Sequence, residues 1–149
     1  MKGTVVSLLI ITMVVQTLPE TTSPDWQDFN DRSYYFDSNV KSWFDAESEC
    51  RGHKGHLASI HSFPEHRFIQ TLIKKVAGEG VTTWLGGNSC QESGVWLWTD
   101  GSPLDYTYWA EEHPAEGRCL TMSQDDGLLW ADESCDDTSH AYVCTKDQQ

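Results

Sequence analysis

Two short acidic stretches near the C-terminus carry the residues best suited to bind a ligand. EEHPAEGRC (residues 111–119) holds three glutamates, a histidine and an arginine around one proline, and WADESC (residues 130–135) follows it. Carboxylate oxygens are ligands that calcium prefers, and carboxylates and guanidinium groups also form bidentate hydrogen bonds. The two stretches therefore indicate a calcium site, the remnant of such a site, or an acidic surface without a ligand.

Other combinations of reactive side chains are weaker. His53 and His56 have the spacing of zinc ligands, but they follow a predicted helix end instead of lying along a helix, which favours a structural role. The serines lie outside any nucleophile-elbow motif, and no nucleophile, base and orienting group can be assembled around them. We expect neither a catalytic site nor a metal site from these residues.

Two helices are predicted early in the chain. A short helix is expected in residues 42–55, where Ser42 can cap its first turn. A longer one is expected in residues 63–78, where Pro64 suits the first turn and two lysines favour the C-terminal end. Its apolar face comprises Phe68, Ile69, Leu72, Ile73 and Val76.

Strands are predicted on both sides of these helices. The aromatic segment SYYFDS precedes them, and after Gly80 the chain becomes rich in tryptophan and is interrupted by glycine, aspartate and serine. The expected strands and loops lie in residues 33–38, 81–87, 94–102, 128–134 and 140–145. Two helices followed by strands and long loops indicate an α+β domain.

The net charge is −13, and most of it lies in the C-terminal half. From Glu92 onward, 13 acidic residues face only Arg118 and Lys146. Such a chain is poorly suited to bind nucleic acid or anionic membranes. The acidity agrees equally well with simple solubility and with a surface selective for cations or polar ligands.

The N-terminus has the pattern of a secretory signal. Lys2 precedes the apolar stretch at residues 5–15, which is shorter than the about 20 residues that a membrane-spanning helix needs. We expect a signal peptide at residues 1–22, cleaved somewhere from 17 to 23, and a secreted, extracellular domain at residues 23–149. Secretion permits disulfides, and the mature chain has five cysteines, an odd number.

From about residue 25 to residue 145, the chain resembles the C-type lectin-like domain family. The resemblance rests on the order and spacing of DWQDFNDRSYYF, SWFDAESEC, HLASIHS, WLGG, WLWTDGSPLDYTYW, EEHPAEGRC, WADESC and AYVC. WLGGNSCQESGVWLW looks most like secreted fish lectins and fish type II antifreeze proteins. The resemblance implies two helices, small antiparallel sheets, a long loop region and core disulfides.

The resemblance also implies how the cysteines pair. Cys50–Cys144 and Cys119–Cys135 would close loops of 94 and 16 residues, which the loop-entropy model values at about 4–5 and about 3 kcal/mol. Cys90 is then left over. We expect it to form an interchain disulfide in a homodimer; the alternatives are a buried free thiol or a thiol capped by a small molecule.

In typical members of this family, a calcium ion also coordinates two sugar hydroxyls. The triplet that supplies ligands there corresponds to His113-Pro114-Ala115, and the family's Asn-Asp pair corresponds to Ala131-Asp132. Imidazole is a poor calcium ligand and alanine has no side-chain oxygen. The resemblance therefore predicts a loop of the calcium-site type without calcium or another cofactor, in which Pro114 could be cis or trans.

Carbohydrate binding without calcium would need other partners for the sugar hydroxyls. Tyr106, Tyr108 and Trp130 could offer an aromatic face to a galactose-type ring. The candidate polar residues are Glu112, His113, Glu116, Arg118, Asp125 and Asp132. We expect a lectin of the galactose or lactose type that binds glycans on microbial or host surfaces in mucosal or humoral defence.

Two other functions remain open. Loss of calcium ligands is equally natural in a lectin-like domain that binds a protein partner without sugar. Ice binding requires a flat, weakly polar face, and only Thr82 and Thr83 resemble a threonine array. A thermal-hysteresis assay separates ice binding from the other two, and competition by free sugar separates the lectin from the protein binder.

Overall fold

The computed structural model describes residues 2–18, 23–79, 81–123 and 127–149. The strands are β1 (Gln27–Phe29), β2 (Arg32–Lys41), β3 (His56–Leu57), β4 (Thr83–Asn88), β5 (Leu97–Trp98), β6 (Cys119–Ser123), β7 (Leu129–Glu133) and β8 (His140–Asp147), and the helices are α1 (Trp43–Gly52) and α2 (Phe63–Ala77). The α+β prediction with two early helices is confirmed. Residues 2–18 form neither helix nor strand, and none of the helices described has the length and apolarity needed to cross a membrane.

The strands form one mixed sheet in the order β1-β2-β8-β4-β6-β7, with β3 added on β8 and β5 on β4. Among the strand pairs described, only β4 and β8 run parallel, with Thr83 opposite Ala141 and Trp84 opposite Tyr142. This pair joins the antiparallel groups on either side of it. The small antiparallel sheets expected from the sequence are therefore parts of a single sheet.

Helix α1 begins at the predicted cap. The Ser42 side chain accepts a hydrogen bond from the Asp45 amide, which satisfies one of the free amides of the first turn. Trp43, Ala46 and Cys50 are buried on the inner face. The Trp43 amide donates to the Cys135 carbonyl at 3.0 Å, so the start of α1 is fixed to the turn that follows β7.

Helix α2 is capped by Ser62 and ends at Gly78. Three of its predicted core residues, Ile69, Leu72 and Ile73, are buried, whereas Val76 is exposed. The apolar face is therefore narrower at the C-terminal turn than the sequence indicated. The buried residues pack into a core that includes Tyr34, Phe36, Leu85, Leu120, Met122, Trp98 and Trp130.

Both predicted disulfides are present. Cys50–Cys144 ties α1 to β8, and Cys119–Cys135 ties the start of β6 to the turn after β7. The second bridge joins the last residue of the first acidic stretch to the last residue of the second. It therefore anchors the C-terminal end of the loop described next.

Candidate ligand-binding loop

The candidate loop comprises residues 111–118, which precede β6, and it lies over the end of β7. The pairing of β6 with β7 sets Leu120 opposite Asp132, which places the Asp132 side chain at the base of the loop. Gly117 passes very close to this strand: a Cβ atom at position 117 would lie 2.5 Å from the Glu133 amide nitrogen. Only glycine allows this approach, which brings the Gly117 amide onto the Asp132 carboxylate.

Asp132 is enclosed by donors from this loop, and its side chain is 0% exposed. One carboxylate oxygen accepts from the Ala115 amide at 2.7 Å and lies 2.6 Å from His113 Nδ1. The other accepts from the Gly117 amide at 2.5 Å. Both oxygens are thus bonded within the protein. Asp132 therefore positions the loop and does not face a ligand, which corrects the direct sugar contact proposed for it from the sequence.

The contact with Asp132 fixes the orientation of His113. A carboxylate accepts hydrogen bonds and does not donate them, so His113 Nδ1 carries the proton in this contact. In the neutral ring, Nε2 is then an acceptor on the other side of the imidazole. The His113 side chain is 27% exposed, so solvent reaches part of the ring. The His113–Pro114 peptide bond is cis, which settles the alternative that the sequence left open.

The donor set at this position fits calcium poorly. The two oxygens of Asp132 are engaged by three protein donors, His113 contributes nitrogen, and Ala115 contributes no side-chain oxygen. Calcium requires six to eight oxygen ligands. Instead of an ion, the His113 imidazole and the amides of Ala115 and Gly117 contact the Asp132 carboxylate.

The remaining predicted polar residues fall into separate places. Glu112 is exposed, with a left-handed backbone (φ 67°). Glu116 and Arg118 line a groove of about 670 Å³ on the side of the loop that faces Phe44 and Cys90. Asp125 lies outside the described residues. The structure thus brings His113 and Asp132 together directly and places Glu116 and Arg118 along one groove.

The aromatic face proposed from the sequence is largely interior. Trp130 is fully buried, so the prediction that it could stack on a sugar ring is wrong. Its ring packs edge-on against Trp98, Tyr106 and Trp109. Tyr106 and Tyr108 are partly buried and stacked with centroids 6.2 Å apart. These aromatics form the core beneath the long loop, which is the segment between β5 and β6. Of them, only the partly exposed tyrosines can reach a ligand.

A serine, a histidine and an aspartate that the sequence analysis did not combine are hydrogen-bonded in series. His61 Nδ1 lies 2.7 Å from Asp105, and His61 Nε2 lies 3.1 Å from the Ser59 hydroxyl. The same hydroxyl accepts from Arg32 at 2.8 Å and donates to Asp100, and Ser59 is fully buried. This hydroxyl is saturated by structural partners, so the series anchors the long loop instead of presenting a nucleophile.

Cys90 is exposed and is the free cysteine among the residues described. Its sulfur lies within 4.8 Å of the sulfurs of both Cys119 and Cys135. Partial burial raises the pKa of the Cys90 thiol, and the nearby Arg118 charge only partly offsets this. The exposed position agrees with the sequence prediction, but the raised pKa lowers the thiolate fraction and works against the reactivity expected there.

Comparison with known proteins agrees with this architecture. Residues 39–146 match the family model described as the lectin C-type domain. The chain belongs to the C-type lectin domain family. The resemblance identified from the motif order is therefore confirmed, and the long loop between β5 and β6 corresponds to the loop region expected of the family.

The similar proteins include ice-structuring or antifreeze proteins and a galactose-specific lectin. A type-2 ice-structuring protein of Hemitripterus americanus is 37% identical over 134 residues, covering 88% of this chain and 78% of that protein. The galactose-specific lectin nattectin of Thalassophryne nattereri is 35% identical over 126 residues, covering 81% and 77%. The crystal structure of a calcium-independent type II antifreeze protein superimposes with a TM-score of 0.73 at 34% identity, covering 82% of this chain and 91% of that one.

Proposed function

We propose that this C-type lectin-like protein is secreted and binds carbohydrate of the galactose or lactose type without calcium, on microbial or host glycans. The supporting observation is the Asp132 carboxylate, whose two oxygens are bonded to His113, Ala115 and Gly117. These bonds join the loop to β7 through protein donors, which supports binding without an ion. The similarity to a galactose-specific lectin supports the sugar class.

The polar groups around the loop suit sugar hydroxyls. His113 offers Nε2 as an acceptor on a ring whose other nitrogen is fixed by Asp132. Glu112 and Glu116 are exposed and offer carboxylate acceptors, and Arg118 offers guanidinium donors. Carboxylates and guanidinium groups bond in a planar, bidentate fashion, which matches the adjacent hydroxyls of a pyranose ring. Because Asp132 is enclosed, its part is to orient His113.

Retention of the mature protein on immobilised lactose and mannose, in EDTA and then in calcium, tests this function. We expect retention on lactose in EDTA, release by free lactose, and no gain from calcium. His113→Phe keeps a flat ring but removes both nitrogens, and we expect it to abolish retention. Glu49→Gln, on the exposed face of α1, is the matched control and should behave as wild type.

The other outcomes are equally informative. Retention only in calcium would contradict the proposal, because an ion would then complete the site. No retention on either sugar would also contradict it and would favour a lectin-like domain that binds a protein partner. Retention that His113→Phe leaves unchanged would place the sugar elsewhere on the molecule.

Ice binding is the second candidate because a type-2 ice-structuring protein and a calcium-independent type II antifreeze protein are among the similar proteins. The surface of the loop argues against it. Glu111, Glu112 and Glu116 are all exposed there, and Thr83 of the predicted threonine pair is fully buried. A thermal-hysteresis measurement decides: we expect no hysteresis beyond that of an unrelated protein at equal concentration.

A homodimer linked through Cys90 would increase the avidity of such a lectin for clustered glycans. The exposure of this cysteine and its position beside the groove lined by Glu116 and Arg118 support the proposal. Two weak sites joined in one molecule gain from effective concentration without any new contact. Multivalent binding of this kind suits a role in mucosal or humoral defence.

A further inference from the structure

A second cluster of potential ligands lies at the turn between β7 and β8. It adjoins the candidate loop, since the Arg118 amide donates to the Glu133 carbonyl, but it uses none of residues 111–118 as a ligand. Glu133 ends β7, His140 begins β8, and Asp137 lies in the turn between them. One ligating atom from each, two carboxylate oxygens and an imidazole nitrogen, lie within 4.8 Å of one another. The resemblance to the family did not draw attention to these residues.

The imidazole of this cluster has a buried nitrogen without a partner. His140 is 9% exposed, and its ring packs edge-on against Trp84 with centroids 4.7 Å apart. Its Nε2 is buried and forms no hydrogen bond with the described residues. A buried polar nitrogen left unpaired is costly, typically by about 1–3 kcal/mol. We therefore expect a partner for His140 Nε2, either an electron-pair acceptor such as a metal ion or a hydrogen-bond acceptor for its proton.

The nearest candidate does not satisfy this nitrogen. Asp137 Oδ1 is already used within the turn, where it accepts from the Ser139 amide at 2.8 Å and the Ser139 hydroxyl at 2.6 Å. Asp137 Oδ2 lies 3.5 Å from His140 Nε2. This separation is close to the spacing of about 3.3 Å between two ligands of a tetrahedral zinc ion, calculated from bond lengths near 2.0–2.1 Å.

We propose that Glu133, Asp137 and His140 form a binding site for a divalent transition-metal cation such as Zn²⁺, with water as the fourth ligand. One imidazole and two carboxylates are a ligand set that zinc accepts, whereas calcium avoids the nitrogen. Two carboxylates also neutralise the charge of the ion. The bound ion would join the end of β7 to the start of β8 and brace the turn that carries Cys135.

The charge around the cluster favours a cation. The C-terminal half is strongly acidic, which raises the local concentration of cations. Metal ligands must be deprotonated to bind an ion, so zinc binding should be weaker in acid than at pH 7.

Titration calorimetry with ZnCl₂ at pH 7, on the tag-free mature protein, tests the proposal. The Cys90→Ser background is used throughout, because a free thiol binds zinc by itself. We expect one zinc ion per chain and no comparable heat with CaCl₂ or MgCl₂. Glu133→Gln and Asp137→Asn keep the size and hydrogen-bonding capacity of the side chains, and each should weaken zinc binding about tenfold or more.

A matched control separates this cluster from ordinary surface pairs. His53 Nε2 lies 3.6 Å from Glu49, an exposed histidine–carboxylate pair elsewhere on the molecule. Glu49→Gln in the same background should leave zinc affinity unchanged. Replacing zinc by Co²⁺ should produce a visible absorption band of tetrahedral intensity that both ligand variants lose.

Thermal unfolding provides a readout independent of the titration. Zinc should raise the Tm of the Cys90→Ser protein by mass action and raise it much less in Glu133→Gln and Asp137→Asn. Absence of zinc binding in the Cys90→Ser protein would overturn the proposal. Equal zinc affinity in the ligand variants and in Glu49→Gln would also overturn it, because the ion would then be held at another site.

Discussion

Asp132 is the side chain on which the shape of the candidate loop depends most. It receives one side-chain and two backbone hydrogen bonds from a segment 15 to 19 residues away in sequence. These bonds join the loop to β7. Removing it would leave the amides of Ala115 and Gly117 without their acceptor.

We therefore expect Asp132→Ala to lower the free energy of unfolding by about 2–4 kcal/mol, because hydrogen bonds to charged groups are worth about 1.5–3 kcal/mol each and water can replace part of them. Urea denaturation measures the change. Asp136→Ala, at an exposed position four residues on, is the control and should stay within about 0.5 kcal/mol of wild type. Equal stability of the two variants would contradict the role given to Asp132.

His66 predicts how stability depends on pH. Burial, with a smaller contribution from Arg67, lowers its pKa from 6.5 to about 4. Between about pH 6.5 and pH 4, His66 is therefore protonated in the unfolded chain but not in the folded protein. The contribution of His66 to the free energy of unfolding is complete above pH 6.5. It is lost as the pH falls through this window, and the loss amounts to up to about 3 kcal/mol.

Thermal unfolding from pH 7.5 to 4 checks this effect. His66→Gln has no group that titrates in this window, so its Tm should fall less steeply than that of wild type. Asp100 also loses stabilisation in acid. Burial raises its pKa, but hydrogen bonds from Ser102 and Ser59 outweigh burial and hold the pKa below the ordinary value, so this loss occurs at lower pH than the effect of His66. Parallel curves for wild type and His66→Gln would show that His66 is not the responsible group.

For the candidate loop, the sequence indicated the segment and the residues that are poor calcium ligands, but not which contacts each residue makes. The identities of His113 and Ala115 are enough to weaken calcium binding. That Asp132 is enclosed depends on the return of residues 113–117 onto β7, a contact that no local pattern encodes. The burial of Trp130 was missed for the same reason, since its partners come from three other segments.

At the level of secondary-structure elements, Arg32 joins the parts that support the long loop. From β2 it bonds Glu65 on α2 at 2.9 Å and the Ser59 carbonyl at 2.8 Å. It also lies 3.7 Å from Asp100 at the start of the long loop. Glu65 is itself buried and accepts from the His61 amide at 2.7 Å. Two buried or half-buried carboxylates thus share one guanidinium.

Arg32→Ala should lower the free energy of unfolding by about 3 kcal/mol or more, because it leaves Glu65 buried without its cation. Denaturant unfolding at pH 7 measures this loss. The difference should shrink in acid, where the carboxyl groups become protonated. Arg51→Ala, in the exposed last turn of α1, serves as the control, and a comparable loss there would contradict a specific role for Arg32.

The helices were predictable because their signals are local. Ser42 caps α1, Pro64 lies in the first turn of α2, and apolar residues three and four apart define the inner face of α2. The parallel pairing of β4 with β8 was not predictable in this way. It joins residues 83–84 to residues 141–142, and strand alternation indicates which face is buried but not which strand lies alongside.

At the level of the whole molecule, the net charge and the unpaired Cys90 are the features that bear on association between two chains. A net charge of −13 opposes close approach of two chains, so association without a covalent link is disfavoured. Cys90 is exposed and is suited to form that link. The Cys90 sulfur lies within 4.8 Å of both sulfurs of the Cys119–Cys135 bridge, so thiol–disulfide exchange within one chain is also possible.

We expect the oxidised mature protein to run as a disulfide-linked dimer on a non-reducing gel and as a monomer after reduction. Cys90→Ser should be monomeric under both conditions, because the four remaining cysteines are paired. Mass-spectrometric mapping of the link distinguishes Cys90–Cys90 from a bridge through Cys119 or Cys135. A wild-type protein that stays monomeric after oxidation would contradict the dimer.

The central claim is that a loop held by the His113–Asp132 contact binds galactose-type sugars without calcium. The most direct measurement is the nitrogen-15 NMR signal of the His113 ring during titration with lactose in EDTA. The account predicts that Nδ1 is protonated before sugar is added and that the Nε2 signal shifts with a saturable dependence on lactose, but not on mannose. An unchanged His113 signal in EDTA that moves only after calcium is added would contradict it.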